Sequence, residues 1–181
     1  MSNITVIDNF LPQEQFDYVA HHIPDFIPWN YLNSTILYTG DNDNKDKLYD
    51  WQMTHMFYKH PHFTSDEYDY VKPIVDKLNP LLVERIKANL SPNAEKNLEY
   101  GFHTDVVPVE VAKQFMTAIY YVNTNNGYTT FEDGTKVNSV ANRLVTFSAN
   151  IEHTGTTCTD TKNRVVINFV YIQNEINDDY S

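Results

Sequence analysis

Tyr100-Gly-Phe-His103-Thr-Asp105 carries the strongest chemical signal in this chain. In an extended segment the side chains of residues i and i+2 leave the backbone on the same side, so His103 and Asp105 present an imidazole and a carboxylate to one point. A third donor, His153, lies in Asn150-Ile-Glu-His153-Thr-Gly155, after the apolar run Leu144-Val-Thr-Phe147. It reaches the first pair if the strands between them fold back on themselves as a barrel.

Two imidazoles and one carboxylate on one face of an iron leave the opposite positions open, the donor set expected of non-haem Fe(II) oxygenases. A His-x-Asp pair alone is weak, because it arises often by chance and usually marks a hydrogen-bonded surface pair. Its company strengthens it. The polar run from Thr154 to Asn163 predicts a turn that makes His153 and Arg164 neighbours across a hairpin. Beyond it, Arg164-Val-Val-Ile-Asn-Phe-Val170 puts Arg164, Val166 and Asn168 on one face. An arginine is costly to bury unless paired, and its planar guanidinium matches a carboxylate bidentately. Either a protein acid or a small-molecule acid supplies that carboxylate.

Around these residues the sequence reads as short β-runs separated by turn residues, at 81–90, 98–104, 114–123, 128–131, 136–138, 143–148, 152–155 and 164–172. Eight such runs predict a sandwich or barrel. The N-terminal part differs. A short strand at 4–7 precedes a helix opened by Leu11-Pro12, in which Phe16, Val19, Ala20 and Ile23 form an apolar stripe. His21 and His22 suit the negative end of that helix. Thr35-Ile-Leu-Tyr38 and residues 51–58 read as strands. Residues 40–47 read as a polar, mobile loop that lacks the glycine and terminal glutamate of a calcium-binding loop. His55, His60 and His62 have no nearby carboxylate partner and are read as belonging to a surface turn. Ser65 with Asp66 and Glu67 starts a helix, Val71, Ile74, Val75 and Leu78 mark its apolar face, and Pro73 predicts a kink or restart.

At 181 residues, 41% hydrophobic, the chain suits one domain (1–181), with a helical support layer and strands at 1–79 and a β core at 80–172. A formal net charge of -11 disfavours nucleic-acid partners, whose phosphates need clustered cations. The single cysteine, Cys158, cannot form an internal disulfide and fits a reducing compartment. Neither a secretory leader nor a membrane span is expected from the apolar patterning.

Taken together, Phe102-His-Thr-Asp105, Met116-Thr-Ala-Ile-Tyr-Tyr-Val-Asn123, Asn142-Arg-Leu-Val-Thr-Phe147, His153-Thr-Gly155 and Arg164 resemble the Fe(II)- and 2-oxoglutarate-dependent dioxygenases, in their prolyl 4-hydroxylase-like branch. The resemblance covers about residues 80–172. It implies an α+β, mainly β fold, a double-stranded β-helix (jelly roll) with N-terminal supporting helices. It also implies Fe(II) held by His103, Asp105 and His153, with Arg164 gripping the distal carboxylate of 2-oxoglutarate. By the same resemblance Tyr121 hydrogen-bonds that carboxylate, Asn168 lines the cosubstrate pocket and Tyr100 stands near the metal mouth on the substrate side. The implied reaction consumes O2, hydroxylates a C–H bond in a small-molecule or peptide substrate, and releases succinate and CO2. Residues 40–47 and 106–113 are candidate lids.

Two departures from the family pattern stand out. Asn126-Gly127-Tyr128 replaces a Gly-Gly turn, and Leu90 ends a strand whose counterpart in some relatives supplies a polar cosubstrate contact. Short stand-alone chains of this kind also resemble oxygenases encoded by bacterial viruses. Cysteine usage and apolar patterning lead to the expectation of a cytoplasmic location, that of the host if the chain is virus-encoded. Three rival readings use the same fold: His103 and His153 as polar residues merely satisfied within a jelly roll with Arg164 paired to an acid; a catalytically silent, metal-free binding module; and a cupin-like enzyme that uses the metal without 2-oxoglutarate.

Overall fold

The computed structural model describes residues 4–33 and 49–174. The strand anticipated at 35–38 and the polar loop at 40–47 lie outside the described residues.

Strand β1 (Thr5–Ile7) leads into helix α1 (Gln13–Asp25), which starts directly after Pro12 and buries Val19 and Ile23 of its apolar stripe. His22 sits in the last turn, its Nδ1 2.7 Å from the Tyr18 carbonyl. After β2 (Asn30–Leu32), β3 (Gln52–Lys59) and β4 (His62–Phe63), the Ser65 hydroxyl caps a 3-10 turn over Asp66–Tyr70 by accepting from the Glu67 N–H at 3.0 Å. Helix α2 (Lys72–Leu78) then restarts with Pro73 in its first turn. A first-turn amide has no helical acceptor, so proline forfeits nothing there and begins this helix instead of kinking it. His55 is occupied by the Pro28 carbonyl and the Ser65 hydroxyl, both at 2.8 Å, while His60 and His62 are exposed. The three do not converge.

The remaining elements are β5 (Leu82–Pro92), the short α3 (Val109–Ala112), β6 (Met116–Tyr121), β7 (Tyr128–Phe131), β8 (Lys136–Asn138), β9 (Arg143–Ser148), β10 (His153–Gly155) and β11 (Asn163–Ile172). The large sheet has the order β1-β9-β6-β11-β5-β3-β2, with β4 added to β3, and the small sheet runs β10-β7-β8. All pairings between these strands are antiparallel. The two sheets make the jelly roll anticipated from the sequence.

Alternation along the strands divides the core in two. Ile86, Ala88, Tyr120, Leu144, Ile167 and Phe169 point to one side, where they pack with Val19, Ile23 and Ile74 from the helices. Ile119, Tyr121, Val145, Phe147 and Val166 point to the other, against Phe131 and Val137 of the small sheet. Each large apolar side chain so buried contributes roughly 1.5–3 kcal/mol. A one-residue slip of β11 would turn Arg164 and Asn168 into the helix-side core, so the register is tightly specified. Asn142, left-handed at φ 61, ties the N-terminal segment down: it exchanges two hydrogen bonds of 2.8 Å with the Leu11 backbone and accepts from the Tyr120 hydroxyl at 2.9 Å.

Three expectations need correction. Residues 98–104 form no continuous strand; they meet the small sheet at isolated bridges, Glu99 with Thr156 and His103 with His153. His153 and Arg164 are not hairpin partners, since β10 pairs with β7 while β11 lies between β5 and β6. The connection between them crosses from one sheet to the other, with Thr156, Thr157 and Cys158 buried. Threonine hydroxyls of this connection satisfy the backbone packed against it: Thr157 accepts from the Leu98 N–H at 2.9 Å and Thr156 from the Tyr128 N–H at 2.9 Å. Thirdly, residues 106–113, anticipated as loop, contain α3.

Candidate active site

His103 and His153 face each other across an antiparallel bridge, with backbone N–H to carbonyl distances of 3.1 and 3.0 Å in the two directions. Residues directly opposite in such a pair project to the same side, and their ring centroids are 4.8 Å apart. Each imidazole has its Nδ1 against the carbonyl two residues back, Gly101 at 3.2 Å and Ile151 at 3.1 Å. That contact selects the Nδ1–H tautomer and leaves the Nε2 lone pair free for a ligand. Asp105 Oδ2 is 3.6 Å from His153 Nε2, and the donor atoms of His103, Asp105 and His153 all lie within 4.8 Å of one another. Nitrogen, nitrogen and oxygen at this spacing are a fitting donor set for iron.

Asp105 is held from outside by groups that sequence inspection missed. Arg85 Nη2 donates to its Oδ1 at 2.6 Å and to Asn168 Oδ1 at 3.2 Å. The Thr117 hydroxyl and the Asn168 amide donate to Oδ2 at 2.9 and 3.0 Å. Burial opposes the Asp105 charge, but the Arg85 guanidinium and the Asn168 donor outweigh it and hold the carboxyl below the ordinary carboxylate range. Burial, opposed by Asp105, holds His153 below the usual 6.5. Both groups bind protons less readily folded than unfolded, so each removes stability as pH falls: His153 below about 6.5 and Asp105 below about 3.9. The urea midpoint of the metal-free protein is therefore expected to drop between pH 7 and pH 5, and to drop less in His153→Gln. Equal pH dependence in both proteins would contradict a buried neutral His153.

Arg164 is buried at the end of the same cavity, a space of about 90 Å³ that also touches Gln52, Lys87, Asn89, Ser91, Tyr100 and Asn168. Its Nε donates to Ser139 Oγ at 2.8 Å and its Nη2 to Thr129 Oγ1 at 3.1 Å. Among the described residues no carboxylate pairs with it. Burial draws its pKa down, with Tyr121 and Tyr100 opposing, yet a guanidinium remains cationic in a protein. The cavity end therefore presents an uncompensated cation, which fits one carboxylate of a diacid.

The other expected residues fall into different places. Tyr121 lies behind the arginine, its ring centroid 5.5 Å from the guanidinium carbon and its hydroxyl donating to Thr129 at 2.8 Å; it is not on the cavity wall. Asn168 lines the cavity, but its amide is engaged by Asp105 and Arg85. Tyr100 lines it too, and burial raises its phenol pKa. Leu90 packs on the helix side, while its neighbours Asn89 and Ser91 face the cavity. A polar row at period two, Arg85-x-Lys87-x-Asn89-x-Ser91, was the available signal for this wall. Lys87 is half-buried, and burial together with Arg85, opposed by Asp105, pushes its ammonium down to about 8.

The glycine that this turn keeps, Gly127, has a steric reason. A Cβ on Gly127 would come within 2.7 Å of Arg164 Cδ and 2.8 Å of both Asn125 Oδ1 and the Thr157 carbonyl oxygen. Gly127→Ala is thus expected to destabilise the fold by about 1–3 kcal/mol through overpacking, measured by urea unfolding. An unchanged midpoint would mean that the turn yields freely.

No protein-family model matches the sequence, and no curated protein matches it. Solved structures do share its fold. A prolyl hydroxylase from Trichoplax adhaerens, solved with a hypoxia inducible factor oxygen degradation domain peptide, is 13% identical and superposes with a TM-score of 0.61 over 96% of this chain and 84% of that one. The non-heme alpha ketoglutarate dependent epimerase SnoN from nogalamycin biosynthesis is 14% identical, with a TM-score of 0.62 over 95% of this chain and 78% of that one. A Pseudomonas putida prolyl-4-hydroxylase is 16% identical, with a TM-score of 0.52 over 96% and 95% of the two chains. The chain has the jelly-roll fold of the 2-oxoglutarate and Fe(II) oxygenases. No helix among the described residues is long and apolar enough to cross a membrane.

Proposed function

We propose that this chain is an Fe(II)- and 2-oxoglutarate-dependent oxygenase that hydroxylates a C–H bond in a small-molecule or peptide acceptor. One observation carries this reading: three convergent metal donors share a cavity with a buried guanidinium that has no acid partner among the described residues. Bound iron with 2-oxoglutarate and O2 would supply the oxidising equivalents, with succinate and CO2 as by-products. His103 and His153 would hold the metal through Nε2, and Asp105 through a carboxylate oriented by Arg85, Thr117 and Asn168. Arg164 would receive the distal carboxylate of the cosubstrate, with Ser139, Thr129 and Tyr121 fixing the guanidinium plane from behind. Tyr100 would stand on the acceptor side, and the apolar walls of Ile119 and Val166 would keep water from the reacting atoms.

The acceptor classes of similar structures span a peptide and a small molecule, and the net charge of -11 argues against nucleic acid. A cytoplasmic location suits the reading. A silent binding module leaves the free Nε2 atoms and the unpaired Arg164 without a role. The test is an anaerobic titration with Fe(II), then 2-oxoglutarate, followed by admission of O2 and assay of succinate. Expected are metal-dependent binding of 2-oxoglutarate and succinate formation; affinity for neither would favour the binding module, and turnover without 2-oxoglutarate the cupin-like alternative.

A further inference from the structure

A second cavity, about 690 Å³, adjoins the first and shares Lys87 and Asp105 with it. Its walls are largely apolar, from Met56, Val106, Val107, Val111, Phe115 and Val170. Val107 and Val111 are 79% and 41% exposed, so among the described residues this wall has no apolar cover. The charges on its floor are unequal in standing. Arg85 is neutralised by Asp105 at 2.6 Å, whereas Lys87, half-buried, has no carboxylate within ion-pair distance among the described residues. Glu84 lines the groove but forms no ion pair with it. A partly desolvated ammonium without a counter-ion is unfavourable, and an anion brought by a ligand removes the deficit.

Lys87 and Arg164 belong to opposite ends of the site. On β5, Lys87 pairs with Asn168 and Ser91 pairs with Arg164. Four residues of strand separate the two levels, about 13 Å at the rise of an extended chain. The metal donor Asp105 lies at the Lys87 end, hydrogen-bonded to Asn168.

Resting on the oxygenase reading above, we infer that the acceptor carries its own carboxylate, held by Lys87, with an apolar body lying in the groove walled by Met56, Val106, Val111 and Phe115. Apolar walls with one half-buried cation that lacks a carboxylate partner among the described residues, Lys59 on the same wall being exposed to water, suit a small apolar carboxylic acid better than an uncharged metabolite.

The test is calorimetry of the full chain under anaerobic conditions with Mn(II) and saturating 2-oxoglutarate, using 4-methylpentanoate and its amide as probes. The acid is expected to bind at least tenfold more tightly than the amide, Lys87→Met to erase that preference, and Lys87→Arg to keep part of it. Equal affinities for acid and amide in the unmodified protein, or binding of neither, would overturn the inference without involving any variant. So would a Lys87→Met protein that loses 2-oxoglutarate affinity as steeply as acid affinity, because Lys87 would then serve the cosubstrate. Failure of the unmodified protein to take up Mn(II) or 2-oxoglutarate would instead bring down the oxygenase reading, and this inference with it.

Discussion

Asp105→Ala is expected to lower succinate formation by well over a hundredfold, since even the outer partners of a metal site are typically worth about 10–100-fold. Asp105 supplies the oxygen donor of the triad and is also the anion on which Arg85, Thr117 and Asn168 converge. Its loss leaves the Arg85 guanidinium without its ion pair. That side chain is 23% exposed, so water tempers the penalty, and the fold should lose only about 1–3 kcal/mol. A double variant, Asp105→Ala with Arg85→Met, should recover much of that stability while staying inactive and metal-deficient. Stability is read by urea unfolding, metal uptake by calorimetry and turnover by succinate release. Turnover near the unmodified level in either variant would sink the metal assignment. An inactive double variant that still binds Fe(II) at full affinity would show that Asp105 acts on something other than the metal.

Arg164→Met is expected to separate stability from function in the opposite sense. A buried cation with no acid partner contributes little to folding, and replacing buried charge by an apolar side chain of similar size is often neutral or stabilising by about 1–4 kcal/mol. The Ser139 and Thr129 hydroxyls lose an acceptor role but can rotate to other partners. Binding of 2-oxoglutarate, however, would lose a charge-assisted bidentate contact worth about 2–4 kcal/mol, or roughly 30- to 1,000-fold in affinity. Arg164→Lys should recover little of it, because an ammonium cannot reproduce the fork held between Ser139 and Thr129. The decisive result is the pair of measurements together. A variant that binds 2-oxoglutarate normally would remove Arg164 from the cosubstrate site, and one that binds normally while unfolding easily would make the arginine structural.

The legible part of the site followed from short-range rules. Residues i and i+2 of an extended segment share a side, which put His103 beside Asp105 and Arg164 in line with Val166 and Asn168. Apolar alternation in the C-terminal half and helical stripes in the N-terminal half predicted a supported β fold, and Pro73 marked the helix restart. The same rules had all that was needed to find the polar wall of β5, where Arg85, Lys87, Asn89 and Ser91 recur at period two. Tyr121 was set correctly on the face of Thr117 and Ile119, but strand alternation carries no depth, and its ring proved to lie behind Arg164 and not on the cavity wall.

By itself the sequence determined the chemistry available and the side of each strand on which it stands, because both depend only on residue type and backbone period. Tertiary structure alone decided which strands are neighbours. His153 meets His103 through a bridge to a segment that forms no regular strand, and Arg164 reaches the same cavity from the opposite sheet. Arg85 and Asp105 meet over Asn168, which the pairing of β11 with β5 sets beside them. Such partnerships answer to the burial of two cores at once, a property of the packed chain that no local stretch encodes.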